Sequence, residues 1–208
     1  MGAVNLAWPL AIALSLAASG AQAWDRTAVP SAPRVVNVTT DSAPGWIPSE
    51  ALEAEAGRAV QSYFRAFDKG DDRALWNFAS DGLQSLTSFS QFESANKRMR
   101  SDLGRLKRFV VLRVTWTKDP AEAPAPGIYV AIDVAGQFSK SKRHCGYLVL
   151  YKAAPDDAFR LARIENNFMT DAMAKKITAD KSTAEVARLW SVLSANCPNY
   201  QAPVGLAK

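Results

Sequence analysis

Hydrophobic residues recur at intervals of three and four from Leu52 to Phe67, through Ala56, Ala59, Val60, Tyr63 and Phe64, while Glu53, Glu55, Arg58 and Arg65 take other positions. This spacing puts the apolar set on one stripe of a helix opened by Ser49 and stopped by Gly70. A short second helix is predicted over Asp72 to Ala79, burying Leu75 and Phe78, with a break at Asp81-Gly82. Ser90-Gln91-Phe92-Glu93 has the form of a capping box, and the helix it opens should end at Gly104.

Beyond Gly104 the period changes to two. Val110, Leu112, Val114 and Trp116 alternate with Val111, Arg113, Thr115 and Thr117, which predicts a half-buried strand. Ile128, Val130, Ile132 and Val134 alternate with Tyr129, Ala131, Asp133 and Ala135 in a second strand. A third runs from Arg143 to Lys152, and a fourth from Phe159 to Ile164 after the turn Pro155-Asp156-Asp157. Short connections favour antiparallel neighbours. Thr170 caps a predicted helix through Ile177, and Ser182-Thr183-Ala184-Glu185 opens a last one carrying Val186, Leu189, Trp190 and Leu193. The predicted class is α+β: N-terminal helices on a four-stranded antiparallel sheet, followed by two C-terminal helices.

The N-terminus carries a different pattern. The first charged side chain is Asp25, and the apolar run Leu6 to Ala18 leads to Ala21-Gln22-Ala23. This is the form of a secretory signal peptide over 1–23, cut before Trp24. The run is too short to span a bilayer, which takes about 20 apolar residues. Residues 24–48, with Pro30, Pro33, Pro44 and Pro48, read as an extended arm or linker, 49–169 as the α+β domain, and 170–208 as a helical extension. Export places the chain in the periplasm or outside the cell, where an even pair of cysteines, Cys145 and Cys197, is expected to form a disulfide. The alternative is a reactive Cys145 beside His144. Adjacent residues of a strand point to opposite faces, which disfavours a hydrogen-bonded dyad.

The order of elements then resembles a known family. The phrase AVQSYFRAFDKGDDRALWNFAS, the capped segment SQFESANKRMRSDLG and four strands closing on FRLARIEN are similar to the secreted bacterial family "domain of unknown function 4019", over about residues 51–169. The resemblance implies a cystatin-like cone, as in nuclear transport factor two. It brings no catalytic motif and so implies no active-site residue.

Composition narrows the chemistry. The 208 residues hold 25 Lys and Arg against 20 Asp and Glu, a net charge of +5, with one histidine and two cysteines. A zinc site built from Cys and His is excluded on that count, and a nucleophilic triad would have to use His144. Neither a phosphate-cradling glycine loop nor a cofactor motif is present. Asp133 interrupts an apolar strand. A hairpin turning at Lys140-Ser141 would set Gln137 opposite His144, so that Asp133, Tyr129, Gln137 and His144 share one face with acid and base groups available. The plainer reading is the solvent face of a one-sided sheet. The same register turns Cys145 toward the helices with Tyr147, Val149 and Tyr151. Glu165-Asn166-Asn167 could shape a pocket mouth or simply a turn.

Lys97, Arg98, Arg100, Arg105, Lys107 and Arg108 form a dense basic run, joined by Lys140, Lys142 and Arg143. Such density can hold anionic lipid headgroups, glycans or an acidic protein. Nucleic acid is disfavoured, because no reading motif accompanies the charge. The expected function is a non-catalytic envelope module that meets an anionic or protein partner through this surface or through the Pro-rich arm. The alternative is a small-molecule site or enzyme using a cone pocket around Asp133, His144 and Tyr129. N-terminal sequencing of the protein recovered from its native envelope is expected to begin at Trp24; material retaining Met1 would contradict export.

Overall fold

The computed structural model describes residues 36–154, 157–197 and 199–200. The predicted signal peptide, residues 24–35 of the arm, and Pro155-Asp156 lie outside the described residues. Helix α1 (Glu50–Lys69) starts where Ser49 Oγ accepts the Leu52 amide at 3.2 Å, and ends at Gly70 in the left-handed conformation, φ 73°. Its predicted stripe is the buried one: Ala56, Val60, Tyr63, Phe64 and Phe67. Helix α2 (Asp72–Phe78) follows. Where a break was expected, a one-turn helix α3 (Asp81–Ser85) forms, because Ser80 Oγ caps the Leu83 amide. Helix α4 (Phe89–Leu103) begins ahead of the predicted Ser90 cap. Ser88 Oγ takes the Gln91 amide at 3.3 Å, and the Gln91 side chain takes the Ser88 amide at 2.9 Å. The earlier start satisfies more first-turn amides and brings Phe89 onto Trp76, with ring centroids 5.8 Å apart.

The sheet contains β1 (Asn37–Val38), β2 (Leu106–Lys118), β3 (Ile128–Phe138), β4 (Arg143–Lys152) and β5 (Arg160–Met169), in that spatial order. It is α+β as expected, but the sheet is five-stranded and mixed rather than four-stranded and antiparallel. The extra strand comes from the arm: β1 runs parallel to β2 at Thr115 and Trp116. It is fastened by Asn37 Nδ2 donating to the Val114 carbonyl at 3.1 Å and the Thr39 amide to the Trp116 carbonyl at 2.9 Å. Strand β2 also departs from strict alternation. Register shifts between Leu106 and Arg108 and between Val111 and Arg113 set both Val111 and Val114 toward α1 and put Arg113 opposite Asp133.

Helix α1 packs on the face made by Val130, Ile132, Val134 and Phe138 of β3 with Leu148 and Leu150 of β4. Phe64 stacks on Phe109 at 4.3 Å, and Phe67 meets Phe138 edge-on at 6.5 Å. Each such fully buried side chain contributes about 1.5–3 kcal/mol. A separate cluster joins Met169 at the end of β5 to α5 (Asp171–Asp180) and α6 (Thr183–Ser194) through Ala174, Val186 and Trp190.

Two ion pairs tie helices to the core. Lys152 Nζ on β4 reaches Glu55 of α1 at 2.8 Å, and Arg100 of α4 grips Asp72 of α2 in a fork of 2.6 and 2.7 Å. Asp72 is buried and the Arg100 side chain is only 18% exposed, with its guanidinium 5.6 Å from the centre of the Phe67 ring. Removing one member therefore leaves a charge without its partner in a dry site. Asp72→Asn is expected to lower the unfolding free energy by about 3 kcal/mol. Glu185→Gln, at an exposed pair with Arg188 on α6, should leave the urea midpoint in place. Equal midpoints for the two variants would contradict this account.

Candidate functional site

The hairpin between β3 and β4 decides which side chains share a face. The Phe138 amide donates to the Ser141 carbonyl at 2.8 Å, so the tip lies at Ser139-Lys140, and Ser141 Oγ donates to the carbonyls of Arg143 and Met169 at 2.9 Å each. In the resulting register Asp133 faces Tyr147 and Ala135 faces Cys145. This is one residue off the expected pairing, and a slip of one exchanges the faces. Asp133, Tyr129 and Gln137 lie on the face away from α1 together with Cys145, while His144 points into the core beneath α1. The expected grouping of His144 with Asp133 and Tyr129 is therefore corrected, as is the helix-facing side assigned to Cys145.

On the far face Asp133 is only 6% exposed and meets Asn199 from the segment after α6. Cys197 is bonded to Cys145 across a separation of 52 residues, with Cα atoms 6.0 Å apart. Asn199, in the left-handed region at φ 60°, donates from Nδ2 to Asp133 Oδ2 at 2.5 Å, and its Oδ1 accepts from Arg113 at 3.2 Å. Burial raises the Asp133 pKa; the Asn199 hydrogen bond and the Arg113 charge oppose that rise. Tyr129 is engaged elsewhere, its hydroxyl donating to the Ala125 carbonyl at 2.8 Å.

His144 is 2% exposed, edge-on to Phe138, with Nε2 3.0 Å from Asn166 Oδ1. Since Oδ1 can only accept, Nε2 carries the proton of a neutral imidazole. Burial lowers its pKa to about 4, the Asn166 bond only partly offsetting the loss of water. Beside it Tyr63, Phe67, Leu103 and Phe138 leave a void of about 10 Å³, the scale of a single water molecule. Glu165-Asn166-Asn167 is split between faces. Asn166 serves His144, Glu165 accepts the Tyr147 hydroxyl at 2.7 Å and pairs with Arg163, and Asn167 donates to Cys197 Sγ at 3.5 Å.

The basic run also divides. Arg100 is held by Asp72, and Lys97 pairs with Glu93 at 3.0 Å on the outer side of α4. Arg98, Arg105, Lys107 and Arg108 are exposed, and no acid among the described residues forms an ion pair with them. Lys140 and Lys142 are brought to the same end of the sheet. The Ser139 amide donates to the Arg105 carbonyl at 2.8 Å, Ser139 Oγ accepts the Arg105 amide at 2.9 Å, and the Lys140 amide donates to the Leu103 carbonyl at 2.9 Å. Gly104 makes this approach feasible. It sits at φ 74°, and a Cβ there would lie 2.2 Å from Ser139 Oγ.

One cavity was missed at the level of sequence. A cleft of about 450 Å³ opens between α1 and β2, walled by Ala56, Gly57, Val60, Phe109, Val111 and Trp116. Val111 is 43% exposed although its register aims it at α1, and a Cβ on Gly57 would meet nothing within 4 Å. The available clue was Gly57 itself, a glycine inside a strong helical pattern.

A family model described as "Protein of unknown function (DUF4019)" matches residues 59–163. No curated protein and no solved structure gave a match.

The buried imidazole generates a pH dependence. Folding depresses the His144 pKa from 6.5 to about 4, so the unfolded chain binds that proton more readily. Its contribution to stability is present above pH 6.5 and is lost as pH falls toward 4. Thermal unfolding between pH 7 and pH 4 should show this loss, and His144→Gln should flatten the slope. An imidazole titrating near 6.5 by NMR would contradict the assignment.

Proposed function

Given that the chain belongs to the family described as protein of unknown function (DUF4019), we propose that it is an exported, non-catalytic module of the cell envelope that binds an anionic partner through the basic end of its sheet. The observation that carries this reading is the meeting of Arg105, Lys107 and Arg108 with Lys140 and Lys142, all exposed, around the joined turns at Gly104 and Ser139. The titratable groups that suggested catalysis are each engaged by a partner of the fold: Asp133 by Asn199, His144 by Asn166, Tyr129 by the Ala125 carbonyl. Arg100 no longer belongs to the contact set, and Lys97 and Arg98 of α4 form its outer margin. In the same proposal α1 and the sheet make a cystatin-like cone whose interior is filled with aromatic rings, a reading supported by the packing of Phe64 and Phe67.

A second reading rests on the cleft between α1 and β2. Its size and mostly apolar wall, with Glu53 and Gln61 also lining it, suit a small and mostly apolar molecule. This reading moves the small-molecule alternative away from Asp133. Saturable binding of an apolar fluorescent probe that is lost in Val111→Lys would favour it.

Retention on vesicles containing an anionic phospholipid, or on a sulfated glycan matrix, tests the main proposal. Binding is expected to weaken steeply between low and physiological salt, because counterions screen an exposed basic patch. Replacing Arg105, Lys107 and Arg108 by Gln should remove both the retention and its salt dependence. Retention of the triple variant equal to that of the parent chain would return these residues to an ordinary solvated surface.

A further inference from the structure

The segment carrying Cys197, Asn199 and Tyr200 has no role in the basic end. It leaves α6 and crosses the sheet face that α1 does not cover. Its non-covalent attachments are few: Asn199 to Asp133, Arg113 to Asn199, Asn167 to Cys197 Sγ, and Tyr200 edge-on to Trp190 at 5.5 Å. Hydrogen bonds to charged groups contribute more than neutral ones, but only a part of their gross strength, because each replaces one made to water. Helix α6 behind it buries one residue fully, Val186, with Leu189, Trp190 and Leu193 partly covered. The covalent attachment is Cys145–Cys197, on the same sheet face as the buried carboxylate of Asp133 that Asn199 holds.

We propose that this segment is a redox-gated strap: the Cys145–Cys197 disulfide holds Asn199 over Asp133, and reduction of that bond releases the strap and opens the Asp133 face while the rest of the fold stays intact. The reductant is a dithiol. Its first thiolate attacks Cys197 Sγ, since Cys197 is 5% exposed and Cys145 is fully buried. Cys145 leaves as a thiolate and takes a proton. The second thiol of the reductant closes its own disulfide and frees Cys197 as a thiol, so two electrons and two protons pass to the protein.

The charge beneath the strap sets the direction of release. Asp133 faces Arg113 from β2 and Tyr147 from β4, with Glu165 and Arg163 beyond on β5 and Asn199 above. Closing the strap buries the carboxylate and raises its pKa, so the closed form holds a proton more tightly than the open form. Closure is therefore favoured in acid and opposed once Asp133 ionises.

Hydrogen exchange of the full chain, oxidised and then reduced with a phosphine at pH 7.5 and pH 4, tests the strap. Reduction at pH 7.5 is expected to speed exchange of α6 and the segment after it at least tenfold, leave α1 and the middle of β3 and β4 protected, and reverse on reoxidation. The effect should shrink at pH 4, and Asp133→Asn should remove the difference between the two pH values. Cys197→Ser should reproduce the reduced pattern without reductant. Loss of protection throughout the chain would overturn the proposal by making the bond a global staple. Unchanged exchange after α6, or a pH difference that survives in Asp133→Asn, would also overturn it. None of these outcomes bears on salt-dependent binding at the basic end.

Discussion

The register between β3 and β4 is the constraint on which the remaining chemistry depends. Side chains alternate across a pleated sheet, so the pairing of Asp133 with Tyr147 assigns every neighbour to one face or the other. It sends His144 and Asn166 under α1, where water is scarce and the imidazole stays neutral. It sends Cys145 to the opposite face, within reach of the chain that follows α6. Asp133 follows Cys145 and lies beneath Asn199. A hairpin tip one residue further along would exchange the assignments of β4, setting His144 on the Asp133 face and turning Cys145 under α1.

Four polar contacts in the interior join side chains from different elements, while Asn96 Nδ2 and His144 Nδ1 are buried without a hydrogen-bond partner among the described residues. Asp72 meets Arg100, Glu55 meets Lys152, His144 meets Asn166, and Asp133 meets Asn199. The pairs join different elements, so each fixes a relation the apolar core alone leaves loose. Arg100 sets α4 against α2, Lys152 sets β4 against α1, and Asn199 sets the C-terminal segment on the sheet. Desolvation makes each pair costly to break from one side. What is left facing outward at the joined turns of Gly104 and Ser139 is predominantly cationic, and that asymmetry underlies the proposed contact with an anionic partner.

The helices were legible in the sequence because their signals are local. The stripe from Ala56 to Phe67, the Ser49 and Ser182 caps and the glycine stops at Gly70 and Gly104 all act within a few residues. Four of the five strands were legible from their alternation, although β5 runs on to Met169 past the expected end at Ile164. Three features were not. The edge strand at Asn37 has no pattern of its own and exists because Val114 and Trp116 offer carbonyls 77 residues away. The β2 register shifts are invisible in a run such as Phe109 to Leu112, where apolar residues occupy both faces. The hairpin tip at Ser139-Lys140 depends on Ser141 Oγ reaching the Met169 carbonyl, a contact between distant segments. The pairing of Cys145 with Cys197 was legible from the even cysteine count, but the face on which it lies followed from the register. Arg100 read as surface charge because its partner Asp72 stands on another helix.

The most direct test of the face assignments is a set of nuclear Overhauser contacts from the His144 ring in the oxidised protein. The ring protons should show contacts to Phe138, whose centroid is 5.1 Å from that of the imidazole, and to the side chain of Asn166. Contacts from His144 to Gln137 or Tyr129, with none to Phe138 in the core, would place it on the Asp133 face and contradict the register from which the account is built.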